Sequence, residues 1–257
     1  MLEISPIPAF NDNYIWLLRV PGSPLATVVD PGDAGPVIAR LEAEGLSLTD
    51  MLITHHHGDH VGGIMALRAR WPQARVHGPA GERIPACEHP LREGDQVTPE
   101  GLPLTLRVLE VPGHTAGHIA YHGGGLLFCG DTLFAGGCGR LFEGTAAQMH
   151  ASLAKLAGLP AQTLVHCAHE YTEANLRFAS LVEPANPALL ARIRAVAALR
   201  AAGQPSVPSR LAEELETNPF LRSDQASVRR AAERHAGRPL SDTIEVFATV
   251  RRWKDVA

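Results

Sequence analysis

Leu52-Ile53-Thr54-His55-His56-His57-Gly58-Asp59-His60 starts as a short apolar strand and ends as a glycine-containing loop crowded with metal-binding side chains. Four imidazoles and one carboxylate fall within residues 55–60. Where such a strand runs out, its polar groups emerge at the C-terminal edge of a sheet, which is where α/β proteins build ligand sites. Imidazole and carboxylate together suit divalent ions such as zinc, iron and manganese. In extended chain, residues i and i+2 share a face. His55 and His57 are therefore expected to grip one ion while Asp59 and His60 turn toward a second, with His56 on the opposite side in a structural role. Taken alone, the segment also fits a solvated histidine-rich loop, because short motifs are weak evidence.

Three later segments repeat the arrangement: Val111-Pro112-Gly113-His114-Thr115, Phe128-Cys129-Gly130-Asp131-Thr132 and Val165-His166-Cys167-Ala168-His169-Glu170. Each reads as a strand ending in a small residue and then a ligand-type side chain, and the four endings are expected to converge on one rim. Further strands are expected at Tyr14–Val20, Ala26–Val29, Arg75–His77, Leu104–Val111, Ile119–Tyr121, Leu126–Cys129 and Thr163–His166, each bounded by turn residues. Helices are expected at Pro36–Glu44, Gly63–Arg70, Ala146–Ala157 and Thr172–Leu181, so the alternation implies α/β layers with a mixed sheet. After about residue 172 the chain turns to Ala, Leu, Arg and Glu at helical spacing, over Pro187–Ala202, Leu211–Glu216, Asp224–His235 and Asp242–Lys254. The layout is an α/β domain over residues 1–171 followed by a helical domain over 172–257. Asp30 ends a strand just before the Pro31-Gly32-Asp33 turn, where it could hydrogen-bond a metal-site histidine.

Composition narrows the class. The chain has 257 residues, enough for a substantial core without disulfides. A formal charge of −4 argues against a polyanion-binding surface and hence against a nucleic-acid partner. Four dispersed cysteines without a CxxC pair argue against a disulfide framework or a cysteine-rich zinc module, and reduced thiols fit the cytoplasm. No cationic segment opens the chain as a signal peptide would, and no apolar run approaches the roughly 20 residues that span a bilayer. A soluble, cytoplasmic monomer is expected. Cations gather late, at Arg222, Arg229, Arg230, Arg234, Arg238, Arg251, Arg252 and Lys254. Most read as a solvated helical face, although such a region could also hold a small anion.

The order THxHxDH, PGHT, a Gly-Asp pair and a late His resembles the metallo-β-lactamase fold superfamily over roughly the first two thirds of the chain. That resemblance implies an αββα sandwich and a binuclear site. One ion would take His55, His57 and His114, the other Asp59, His60 and His169, and Asp131 would bridge them. Within the superfamily the chain is most similar to the hydroxyacylglutathione hydrolase (glyoxalase II) family. The similarity is carried by Phe10-Asn11-Asp12-Asn13-Tyr14, Gly130-Asp131-Thr132-Leu133-Phe134, Gly137-Cys138-Gly139-Arg140, Phe142-Glu143-Gly144-Thr145 and His169-Glu170-Tyr171-Thr172. In the tail it continues through Thr217-Asn218-Pro219-Phe220-Leu221-Arg222 and Val250-Arg251-Arg252-Trp253-Lys254.

Two ions sharing a water lower its pKa from 15.7 toward neutrality, and one ion can stabilise the oxyanion of a tetrahedral intermediate. A thiol leaving group, with a pKa of about 8.5, can depart without an acid. The resemblance therefore implies two divalent ions, zinc first with iron or manganese possible. It also implies hydrolysis of S-(2-hydroxyacyl)glutathione, such as S-D-lactoylglutathione, by a bridging hydroxide, with Asp59 and Asp131 central to catalysis. Arg251 and Lys254 would bind the glycyl carboxylate, with Arg140, Phe142 and Tyr171 lining the same pocket. Arg140 stands where the family often has Lys, and Phe142 where some members have Tyr. The competing readings are a mononuclear-iron persulfide dioxygenase on the same fold and a catalytically silent glutathione-binding module.

Overall fold

The computed structural model describes residues 2–257, which divide into two compact units. The first comprises residues up to Glu110 together with Ala116–Gly130. Its chain order is β1 (Glu3–Ala9), β2 (Asn13–Arg19), β3 (Leu25–Val29), α1 (Ala34–Ala43), β4 (Ser47–Leu52), α2 (Gly58–Val61), α3 (Ile64–Arg70), β5 (Arg75–Pro79), β6 (His89–Leu91), β7 (Gln96–Val97), β8 (Leu106–Glu110), β9 (Ile119–Gly123) and β10 (Leu126–Gly130).

Strands β1 to β6 form one sheet in sequence order, antiparallel as far as β3 and parallel from β3 to β6. The sheet is mixed, as the alternation of elements implied. Almost all of β2 (NYIWLLR) is buried, the signature of a strand covered on both faces. On one of those faces Ile15, Leu17 and Val28 join Val37 and Leu41 of α1 and Ile64 and Leu67 of α3 in a single apolar cluster. Asp33 caps α1 by accepting the Gly35 amide at 2.9 Å.

Strands β7 to β10 pair in order as an antiparallel meander. Tyr121 of β9 is fully buried and donates its hydroxyl to the carbonyls of Ile53 (2.8 Å) and His77 (3.3 Å). That bond ties the meander to the C-terminal edge of β4 and β5, where the histidine loop leaves the sheet.

The second unit comprises Val111–Thr115 and Asp131–Ala257. It holds β11 (Leu133–Phe134), β12 (Gly137–Cys138), α4 (Ala146–Ala157), β13 (Leu164–Cys167), α5 (Thr172–Val182), α6 (Pro187–Ala201), β14 (Ser209–Arg210), α7 (Leu211–Thr217), α8 (Ala226–Ala236) and α9 (Thr243–Val256). The helices begin where the sequence caps them: Thr145 with Gln148 as a capping box, Asn186 before Pro187, and Asp242 on the Glu245 amide. Buried Arg192 of α6 is paired with buried Glu214 of α7, and a Glu214 oxygen accepts the Gly136 amide at 2.8 Å. Asn218 donates to the carbonyls of Phe134 and Gly137. These bonds hold the β11–β12 hairpin against the helical tail.

Candidate metal centre

In the first unit, the histidine loop leaves β4 between two parallel neighbours. Asp30, one residue beyond β3, has a left-handed backbone (φ 51°) and is buried. Its carboxylate accepts the Thr54 amide (2.8 Å) and the Thr54 hydroxyl (2.7 Å), and lies 3.1 Å from His60 Nδ1. Thr54 Oγ1 is in turn 3.1 Å from His55 Nδ1. The carboxylate thus reaches His55 through Thr54 and stands beside His60, and each Nε2 faces another ligand-type atom. His55 Nε2 lies 3.1 Å from His57 Nδ1, and His60 Nε2 lies 3.6 Å from Asp59 Oδ2. Asn13 holds Asp59 by donating to Oδ2 at 3.0 Å. Gly32 is required beside this loop, because a Cβ there would lie 1.7 Å from the Asp59 carbonyl oxygen.

His56 turns away to Glu82 at 2.9 Å, the structural role its alternation implied. His118 is buried and stacks on the His55 ring at 4.6 Å, so it packs the loop. His77 is satisfied by buried Asp50 at 2.8 Å. Burial pushes the Asp50 carboxyl up, but hydrogen bonds from His77 and Arg75 outweigh it and bring its pKa down to about 2.

In the second unit, buried Asp131 presents different oxygens to two buried imidazoles. Oδ2 lies 3.4 Å from His114 Nε2 and Oδ1 lies 3.4 Å from His169 Nε2. His114 Nδ1 donates to the Arg140 carbonyl at 2.9 Å, which again commits Nε2 to the site. Gly139 admits this approach, since a Cβ there would sit 2.0 Å from the Asp131 carbonyl oxygen and 3.0 Å from His114 Nδ1. The Tyr171 ring stacks on His169 at 4.6 Å, nearly parallel. His166 is buried with Nδ1 at the Leu164 carbonyl, so its neighbour in the motif and not His166 itself meets Asp131. Converging imidazole nitrogens around a two-faced carboxylate are a donor set that fits divalent ions.

A cleft of about 440 Å³ opens beside the second set, lined by His114, Asp131, Phe134, Cys138, Arg140, Phe142, Tyr171, Ala174, Asn175, Arg251 and Lys254. All five residues expected to bind substrate line it. Against three cationic side chains the lining carries one carboxylate, Asp131. Arg251 is buried; it donates to the Cys138 carbonyl at 2.8 Å and to Asp255 at 3.1 Å, and stacks its guanidinium over Phe220. Lys254 donates to Asn175. Burial, and then the charge of Arg251, bring the Lys254 pKa down from 10.5 to about 8. Burial raises the Cys138 thiol, against the opposing pull of Arg251, which keeps it a neutral neighbour.

Sequence reading assigned no role to Asn13, Glu82 or Asn175. Asn13 lies within the Phe10–Tyr14 segment, and Asn175 follows Tyr171, the N-cap of α5, by one helical turn, a spacing that brings the two to the same side of its first turn. For Glu82 there was no local signal.

Residues 10–169 match the family model described as the metallo-beta-lactamase superfamily, and residues 170–257 match the one described as the hydroxyacylglutathione hydrolase C-terminus. A hydroxyacylglutathione hydrolase of Alkalilimnicola ehrlichii is 60% identical over 255 residues, covering 99% of each chain. Among solved structures, ETHE1 from Myxococcus xanthus superposes with a TM-score of 0.68 at 25% identity, over 98% of this chain and 91% of that one. TTHA1623, solved in a di-iron-bound form, superposes with a TM-score of 0.58 at 26% identity, over 85% of this chain and 100% of its own.

Proposed function

This chain belongs to the hydroxyacylglutathione hydrolase family, on a metallo-β-lactamase fold continued by a helical C-terminal part, and from that premise we propose how its residues divide the work. It is a thioester hydrolase acting on S-(2-hydroxyacyl)glutathione, releasing glutathione and a 2-hydroxy acid. Residues 1–171 form the catalytic domain and 172–257 the substrate-binding domain, a division supported by the boundary between the two family matches.

His55, His57 and His114 would hold one divalent ion and Asp59, His60 and His169 a second, with Asp131 shared between the two sets as a bridge. Zinc is the leading choice, with iron or manganese as alternatives. The two-faced approach of Asp131 to His114 and His169 supports the bridge, and the di-iron form of the similar TTHA1623 supports two ions. Bound there, the ions would supply an acidified water and an electrophile for the thioester carbonyl.

The chain's own residues do the rest. Arg251 and Lys254, with Arg140 at the rim, receive the glutathione carboxylates through charge-assisted hydrogen bonds. Asn175 holds the Lys254 ammonium, and Tyr171 and Phe142 present apolar surface to the peptide. No acid is needed for departure, because a thiolate of pKa about 8.5 is a competent leaving group. A cytoplasmic setting is supported by the absence of any disulfide among the four cysteines. Among the described residues no helix is long and apolar enough to cross a membrane.

The observation that carries this reading is one cleft lined by both His114 and Asp131 and by three cations. The test is the zinc-loaded protein with S-D-lactoylglutathione. The expected result is loss of thioester absorbance from a sample carrying about two metal equivalents by elemental analysis. No loss of absorbance overturns it.

A further inference from the structure

We propose that Glu82 is a positioning residue for the metal-binding loop, holding its His55–His57 segment from the side opposite Asp30. Strands β3, β4 and β5 are adjacent and parallel, so their C-terminal ends share one edge. Asp30 follows β3, the histidine loop follows β4, and the turn Ala80-Gly81-Glu82 follows β5, closed by the Glu82 amide on the Pro79 carbonyl at 3.2 Å. Loop and flanking carboxylates therefore alternate along one edge.

The Glu82 side chain is only 4% exposed, a setting in which a carboxylate needs directed partners. Two of its partners lie on loops of the site. Oε2 accepts His56 Nδ1–H at 2.9 Å, and Oε1 accepts the Gly117 amide at 3.1 Å. His56 is the residue between His55 and His57, so its ring fixes the peptide that carries both. Gly117 precedes His118, whose ring stacks on His55. The fit admits no side chain at position 117, where a Cβ would meet Glu82 Cγ at 2.6 Å. Glu82 does not line the substrate cleft. Its bonds converge on the orientation of His55 and His57. Partners that orient metal-binding imidazoles commonly change metal affinity by 10- to 100-fold.

This inference depends on His55 and His57 holding metal, and the experiment separates the two claims. Zinc release from the full chain to EDTA is timed for wild type, Glu82→Ala, Glu82→Gln and Glu82→Ala with His56→Ala, and the thermal midpoint of each metal-free protein is measured. Glu82→Ala is expected to release zinc about 10- to 100-fold faster, with the metal-free midpoint unchanged. Glu82→Gln is expected to recover most of the retention, because an amide can accept from Gly117 and donate to the other tautomer of His56. The double variant is expected to release zinc no faster than Glu82→Ala, as groups acting through one contact do. A lowered metal-free midpoint with zinc release at the wild-type rate overturns the proposal, as does full additivity in the double variant. Should Glu82→Ala fail to fold, His56→Phe keeps the Gly117 bond and is expected to release zinc about tenfold faster; the wild-type rate then overturns it. A wild type that takes up no zinc overturns the metal reading itself.

Discussion

In the first unit the ligand-type side chains come from six consecutive residues, and carboxylates just after the neighbouring strands β3 and β5 hold them from outside. In the second, three ligand-type residues come from three separated segments, and Asp131 itself joins His114 to His169. The first set is a prefabricated loop whose geometry depends on supports such as Asp30 and Glu82. The second is assembled around one central carboxylate, and His114 and Asp131 are also walls of the cleft lined by Arg140, Arg251 and Lys254. Damage should therefore read out differently in the two places. Changes to supports of the first set should show in metal retention alone, while changes to residues of the second should show in turnover or substrate affinity as well.

The largest expected effect tests the central carboxylate. Asp131→Asn keeps the shape but removes the charge and one acceptor oxygen, so kcat should fall on the order of 10³-fold, with metal content dropping toward one equivalent. Two retained equivalents with more than a tenth of the activity would break the contrast. Next comes Arg251→Ala, which removes a buried charged donor from the cleft. The KM for the thioester should rise about 10- to 100-fold while the metal content stays at the wild-type level. A loss of metal would mean that cleft and metal site are one cooperative structure.

The smallest effect is a pH dependence. The Lys254 pKa lies at about 8, so its positive charge is present below that and lost as pH rises through it. Attraction for an anionic substrate should weaken accordingly, with kcat/KM falling up to about tenfold in this component by pH 9. Lys254→Met should have the weaker binding already at pH 7 and show a flatter profile. A wild-type KM that stays level from pH 7 to 9 would remove Lys254 from substrate binding.

Much of this organisation was legible residue by residue. The helix expected at Ala146–Ala157 forms over those residues, because Thr145 and Gln148 cap its start. The strands ending near His55, His114, Asp131 and His169 were readable because apolar runs give way to a small residue and then a ligand. Very short strands escaped notice, among them β6, β7, β11, β12 and β14, since two or three residues are too few to show an alternating pattern and only pairing defines them. Asp30 could be suspected from its place at a strand end. Glu82 could not, because Gly81-Glu82-Arg83 looks like any solvated turn until β5 brings it beside β4.

The amino-acid sequence by itself determined which side chains can hold metal, which element each follows and which family the chain resembles. Those features depend on residue type and local spacing, which act within a few residues. The tertiary structure alone decided which nitrogen of each histidine faces the site, which carboxylates support the loop, and that Arg251 is buried against Cys138 while Lys254 is partly stripped of water. Those depend on burial and on hydrogen bonds between residues far apart in the chain, and only packing brings such partners together.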